Sequence, residues 1–276
     1  MTAMIHMQGF GRLYGVGAGP GAPDLLTRRA ERVLRACPVI CVPAPAGGPS
    51  YAWQIIKEVV DPARQEILTL SFPMCREAVL AEPARKAAAD LVLARLSRGQ
   101  DVAFVTEGDP LLFSTFSHVF TAVRTSHPEI TIEVIPGVSS VMAAAAAVCW
   151  PLATGADRVA IVPAAYALKR SERAEPSHHL TMYGQAMGEE PEGEVAVDLA
   201  AVLRTFDTVV LLKVHSVFDQ LLRLLENLNL AQHAIYVRRC STAAQEVVFD
   251  LTHLRGQPLD YFSLVIVRNP HATRSQ

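Results

Sequence analysis

No two of the five cysteines, at positions 37, 41, 75, 149 and 240, form a C-x-x-C pair or a Cys/His cluster at zinc spacing. That excludes a zinc ribbon and a disulfide-stapled scaffold. The cysteines read as reduced, mostly buried thiols of a cytoplasmic protein, and no metal site is expected. Neither sign of charge prevails: 25 Lys and Arg face 27 Asp and Glu, for a net charge of −2. Bulk attraction to nucleic acid or to a membrane surface is therefore not expected, although a local basic patch could still meet an acidic substrate. Charge is sparse at 19%, while half the residues are apolar, too many for a disordered chain and enough for a substantial core. No apolar run is long enough to span a bilayer; the longest, around 138–150, is alanine-rich. The opening MTAMIHMQGF has no basic stretch followed by an apolar one, so no secretory leader is expected.

What is present is an alternation of short β-like runs and helical segments. RLYGVGAG (12–19), PVICVP (38–43), DVAFVT (101–106) and TIEVIP (131–136) read as strands. Between them, residues 25–36 put Leu26, Ala30, Val33 and Leu34 on one helical face, and residues 84–98 form a helix ending at Gly99. Residues 113–123 place Phe113, Phe116, Phe120 and Val123 on one helical face, and 139–148 form a helix that Ser139 or Ser140 can cap. Repeated β-α units predict a parallel sheet with helices on its faces. The second half differs. Strands are expected at 158–163, 207–214, 234–239 and 261–267, with one obvious helix at 217–228, which suggests a second α/β domain with a mixed sheet. The expected domains are 1–136 and 137–276. A polar, proline- and glycine-bearing segment at 166–198 reads as a long loop or insertion, and His178 and His179 within it read as solvated loop residues.

Three glycine-bearing turns follow predicted parallel strands: GVGAGPG (15–21), TEGDPLLFSTF (106–116) and IPGVSS (135–140). In open α/β sheets the carboxyl ends of the strands are where ligands bind. The first turn is no dinucleotide fingerprint. Pro20 stands where the third glycine of G-x-G-x-x-G belongs, and PVICVP ends without a ribose-binding acid. No Gly-Lys-Ser/Thr follows it, so it is no Walker A loop. In the second turn Gly108 permits positive φ, Asp109 can accept from nearby N–H groups, and Pro110 suits a first helical position.

GVGAGPG, EGDPLLFSTF and VIPGVSS, in that order, resemble the tetrapyrrole (corrin/porphyrin) methylase family. Together with DTVVLLKV and YFSLVIV they extend the resemblance over residues 12–163 and 205–268. The Ser-Thr-Phe after the GDP turn points to the branch that methylates carbon 20 of precorrin-2 in cobalamin synthesis. Two features depart from the family. Ala22 stands where the family commonly has an aspartate, and the 166–198 segment is longer than the fold needs.

The resemblance implies two α/β domains with the active cleft between them. It also implies S-adenosylmethionine as methyl donor, S-adenosylhomocysteine as product, a tetrapyrrole substrate and a homodimer. Carried over onto this sequence, the donor's contacts are Pro20, Gly108, Asp109, Pro110, Ser114, Thr115, Ser139 and Ser140, with Lys213, Val214, Ala243 and Ser263 from the second domain. Glu107 is the nearest carboxylate that could act as a base, although a structural turn residue is the plainer reading. Tyr14, Arg12, Arg238 and Arg239 are candidates to line the substrate site, the arginines by pairing with substrate carboxylates. No catalytic triad is visible, and methyl transfer from a sulfonium needs none. A cobalt-loaded substrate, another corrin intermediate, a non-catalytic tetrapyrrole carrier and an NAD-linked oxidoreductase stand as alternatives.

Overall fold

Strands covered on both faces read as unbroken apolar runs, and the middle of the first sheet is built that way. A computed structural model describes residues 9–45, 47–72, 78–169 and 198–272. The chain divides into two compact units, Met1–Ser140 and Val141–Gln276.

The first unit contains β1 (Leu13–Gly17), α1 (Arg28–Ala36), β2 (Val39–Ala44), α2 (Tyr51–Ile56), β3 (Glu66–Ser71), α3 (Ala78–Leu96), β4 (Val102–Thr106), α4 (Phe116–Ser126), β5 (Ile132–Ile135) and the start of α5 (Ser140–Ala147). Its five strands are all parallel, in the order β3-β2-β4-β1-β5. Every residue of β2 and β4 is buried. Right-handed crossovers then decide which face each helix covers. The connections leaving β1 and β2 run one way along the sheet, and those leaving β3 and β4 run the other. Accordingly Ala30 and Leu34 of α1 and Ala52, Ile55 and Ile56 of α2 pack with Val16, Ile40 and Val105 on one face. Val92 and Leu96 of α3 and Phe116, Val119 and Val123 of α4 pack with Leu13, Cys41 and Phe104 on the other. The adjacent strands β1 and β4 thus send their chains to opposite faces, and the switch point of the sheet lies between their carboxyl ends.

Local signals start and stop these elements. Thr27 Oγ1 accepts from Ala30 N at 3.1 Å and starts α1. Gly99, at φ 75°, ends α3, with its N–H on Leu96 O. The helix expected from 113 begins at Phe116 instead, because Ser114 Oγ accepts from Phe116 N at 3.1 Å. Phe113 therefore leaves the apolar face on which the periodicity placed it; that face is Phe116, Val119 and Val123, with Phe120 partly buried.

The second unit holds β6 (Val159–Pro163), α6 (Ala164–Lys169), α7 (Leu199–Thr205), β7 (Thr208–Leu212), α8 (Phe218–Asn227), β8 (Ala234–Arg238), β9 (Glu246–Val248) and β10 (Ser263–Arg268). The strand order is β6-β7-β10-β8-β9; β6 and β7 are parallel and the other pairs antiparallel. One face is covered by Ala164 and Ala165, Leu199 and Leu203, and Phe218, Leu221 and Leu225, packed on Leu211, Tyr236, Val265 and Val267. Residues 170–197, with most of the expected insertion and both His178 and His179, lie outside the described residues, as does Cys75. Among the described cysteines Cys37, Cys41 and Cys240 are buried and Cys149 is exposed. Burial pushes the Cys37 thiol up to about 12 and Cys240 to about 11, and raises Cys41 as well, so these three are inert packing residues. No described helix is long and apolar enough to cross a membrane.

Candidate active site at the strand ends

Backbone, not side chains, builds the switch point. Gly19 and Gly108 form an isolated antiparallel bridge, with Gly108 N donating to Gly19 O at 2.8 Å and Gly19 N to Gly108 O at 3.3 Å. Ala18 N donates to Thr106 O at 2.8 Å. The first and second glycine loops are therefore zipped together. The third joins them by close approach. A Cβ on Gly137 would stand 2.1 Å from Gly108 O, and one on Gly17 would stand 2.6 Å from Gly108 O and 2.6 Å from Gly137 N. Only glycine permits three chains to meet at that distance.

Asp109 holds the contact in register. Its Oδ1 accepts from Leu111 N at 2.9 Å, closing a turn within the second loop. Its Oδ2 accepts from Gly137 N at 3.0 Å, reaching the third loop. Both carboxylate oxygens are thus occupied by main-chain donors, and the residue acts by positioning the loops. Ser139 and Ser140 lie beside this knot: a Cβ on Gly108 would be 3.8 Å from Ser139 Cα and 3.9 Å from Ser140 N. Pro20 is buried at the end of the first loop. Pro110 follows Asp109 directly, and Ser114 and Thr115 lead into α4, with Ser114 Oγ accepting from Phe116 N in a turn and Thr115 at the N-cap position. All eight residues expected in the first unit are therefore brought to one rim.

Glu107 sits in the same loop and faces a helix start. Its Oε1 accepts from Ala52 N at 3.1 Å, while Ser50 Oγ accepts from Trp53 N at 3.2 Å, so the two side chains cap α2 together. Burial raises the Glu107 carboxyl above the usual carboxylate range, against the opposing effect of the N–H groups of Glu107 itself and Ala52. Tyr14 lies in β1, partly buried on the α1 face. Arg12 precedes β1 at the amino edge of the sheet, five residues from Gly17 along the strand. There its guanidinium pairs with Glu133 at 3.4 Å and lies 5.8 Å from the Tyr14 ring centroid. Arg12 is not brought to the glycine loops.

In the second unit the expected residues also share one edge. Lys213 and Val214 leave the carboxyl end of β7; Ser263 opens β10 and is the register partner of Arg238 at the end of β8. Ala243 is exposed in the turn that joins β8 to β9. Lys213 Nζ lies 5.4 Å from the Tyr166 ring centroid. Ser263 Oγ donates to Asp260 O at 2.6 Å. Both arginines are already paired: Arg238 with Glu246 at 2.5 Å, and Arg239 with Asp260 at 2.6 Å while its guanidinium lies 5.7 Å from the Phe262 ring centroid. Among the described residues no group of three His, Cys, Asp or Glu could hold a metal ion.

Backbone strain marks the same places. Among the described residues six non-glycine residues have positive φ: Phe113, Cys149, Lys213, Asn229, Arg239 and Ser241. Cys149 and Asn229 end helices, where such a conformation is ordinary. The other four follow β4, β7 and β8. Left-handed non-glycine residues away from helix ends cost about 1–3 kcal/mol each and gather at functional sites. Periodicity assigned Phe113 to a buried helical face, whereas Phe113 and Leu111 are exposed beside the second loop. Gly137 belongs to the third loop, and no local signal reveals its close packing.

A parallel sheet with a ligand-type switch point and a mixed second sheet defines the class. The profile of the Tetrapyrrole (Corrin/Porphyrin) Methylases matches residues 12–254, and the chain belongs to that family. It is 30% identical to the cobalt-precorrin-2 C(20)-methyltransferase of Salmonella typhimurium, over 93% of this chain and 96% of that one. It is 28% identical to the precorrin-2 C(20)-methyltransferase of a Sinorhizobium species, over 94% and 96%. Among solved structures, the uroporphyrin-III C-methyl transferase of Thermus thermophilus complexed with S-adenyl homocysteine shares the fold, with a TM-score of 0.61 at 21% identity, covering 94% of this chain and 98% of that one.

Proposed function

We propose that the chain is an S-adenosylmethionine-dependent C-methyltransferase that methylates precorrin-2 at carbon 20, giving precorrin-3A in cobalamin synthesis. The observation that carries the reading is the backbone knot of Gly17, Gly108 and Gly137 locked by Asp109, in a chain that matches carbon-20 methylases nearly end to end. Relatives named for the metal-free and for the cobalt-loaded substrate match at 28% and 30% identity, so the cobalt-loaded macrocycle is the second reading.

The rim suits the donor. Glycines, Pro20 and short hydroxyls leave main-chain groups accessible to a polar ligand. On this reading Pro20, Gly108, Asp109, Pro110, Ser114, Thr115, Ser139 and Ser140 form the donor's bed, with Asp109 shaping it through Gly137 and Leu111. In the second unit the same reading assigns donor contacts to Lys213, Val214, Ala243 and Ser263. The bound sulfonium supplies a methyl group whose thioether leaves neutral, so no acid is needed at the leaving group. The substrate's meso carbon is already enamine-like. The carbon that gains the methyl group loses its proton, which passes to bulk water after transfer; what remains for the chain is alignment and exclusion of water during transfer, which can lower a barrier by ~7–11 kcal/mol. Tyr14, Arg238 and Arg239 stay as substrate candidates, the arginines on condition that they exchange Glu246 and Asp260 for substrate carboxylates. Glu107, engaged at the α2 start, fits a structural role better than that of a base. Cytoplasmic action as a homodimer completes the reading.

The test is direct. Calorimetry should detect S-adenosylhomocysteine binding, and anaerobic incubation with S-adenosylmethionine and precorrin-2 should add one methyl group by mass spectrometry. A parallel arm with cobalt-loaded substrate ranks the two macrocycles by kcat/KM. Binding without methyl transfer to either would favour a carrier; no binding would refute the methylase. Sedimentation should report twice the chain mass.

A further inference from the structure

Two large apolar side chains stand in solvent beside the backbone knot. Leu111 is 56% exposed and Phe113 48% exposed, while Leu112 between them is partly buried. Phe113 is also held at φ 51°. A bulky residue in that region is a genuine outlier. The flanking structure imposes it. On one side Asp109 Oδ1 fixes Leu111 N at 2.9 Å, and on the other Ser114 Oγ closes a turn onto Phe116 N at 3.1 Å. Folding alone would favour glycine at such a position, and nothing in the core gains from an exposed ring there. Strain that persists together with an exposed aromatic ring points to a ligand-contacting role.

We propose that Phe113, supported by Leu111, is a substrate-positioning shelf that receives the apolar face of a pyrrole ring of the tetrapyrrole. This rests on the proposed methylase function. The chemistry fits: a partly conjugated macrocycle has flat apolar faces inside a rim of carboxylates. A ring fixed on a strained, doubly clamped turn loses little side-chain freedom when it stacks. The shelf belongs to the β4–α4 connection, whose Asp109 also reaches Gly137. A ring seated on it is thereby registered against the loops assigned to the methyl donor.

The discriminating variant is Phe113→Gly, because glycine adopts positive φ without strain and the folded state is retained or gains stability. For F113G, KM for precorrin-2 should rise at least tenfold, with the affinity for S-adenosylhomocysteine by calorimetry within twofold of wild type. Phe113→Tyr should restore most of the loss, and Leu111→Ala should raise KM in the same direction. An unchanged KM in F113G overturns the shelf. So does a parallel fall in S-adenosylhomocysteine affinity, which would make Phe113 a support for the donor loops. If wild-type protein itself methylates no tetrapyrrole, the methylase reading falls and the shelf with it, an outcome distinct from a functional wild type with an indifferent F113G.

Discussion

Two carboxylates two positions apart in one loop serve different ends. Asp109 spends both oxygens on main-chain donors of two loops, whereas Glu107, two residues earlier, reaches Ala52 N and caps α2. Burial raises the Glu107 carboxyl. A raised value means that the folded state binds protons more tightly than the unfolded chain, whose glutamates titrate near ~4.3. Glu107 thus stabilises fully below that value and loses its contribution as pH rises through the raised one. Glu107→Gln keeps an oxygen for Ala52 N and removes the titration. Denaturant melts from pH 4.5 to 7.5 should therefore show the wild type losing stability relative to E107Q as pH rises; identical pH dependence in the two proteins would contradict this. Glu107→Ala, which leaves Ala52 N without its acceptor, should cost about 1 kcal/mol at the acid end of the range, and the difference should narrow as pH rises.

Loops become a site at the scale of elements, where strand order brings chain ends together. β1 and β4 are neighbours although 84 residues separate Gly17 from Val102, and their carboxyl ends meet because the sheet winds both ways from that point. The third loop then packs backbone to backbone. Gly137→Ala is the sharpest probe of this packing, since its Cβ would meet Gly108 O at 2.1 Å, a main-chain atom that cannot rotate away. The variant should fold with a loss of about 1–3 kcal/mol and lose S-adenosylhomocysteine affinity by tenfold or more in calorimetry. Normal affinity would show that the donor does not depend on the knot. Gly15 is glycine for another reason: its Cβ would stand 2.4 Å from the Phe116 ring, so this position answers to the α4 face of the core and not to a ligand.

At the scale of the whole molecule, each unit carries its own core: two faces of one parallel sheet in the first, and a helix-covered mixed sheet in the second. A ligand that binds only the folded protein raises its stability by mass action. S-adenosylhomocysteine at 100 times its dissociation constant should add about 2.7 kcal/mol, or roughly 5 °C in Tm for a chain of this size, read by scanning calorimetry. No shift at saturating ligand would count against the donor assignment. F113G should show the same ligand-induced shift as wild type, whereas G137A should show little.

Amino-acid order alone determined the class of this protein. Apolar runs at 38–43 and 102–105 specified strands buried on both faces, and Gly99 marked a helix end. Glycines after three of the strands marked the loops that pack together at one rim. Short-range signals of this kind need only propensity and periodicity. Elements with weak local signatures did not show. β3 is a half-exposed edge strand, α2 is a six-residue helix capped in part from Glu107, 55 residues away, and β9 has only three residues. Tertiary structure also decided what each site residue does. Arg12 and Phe113 looked like a substrate ligand and a core residue. Strand direction carried Arg12 to the amino edge and onto Glu133, and the Ser114 turn before α4 left Phe113 outside the helix. The physical reason is range: a propensity is a property of neighbours in sequence, but the end of the sheet a side chain occupies, and the backbone a glycine must admit, depend on chains that meet only after the sheet has formed.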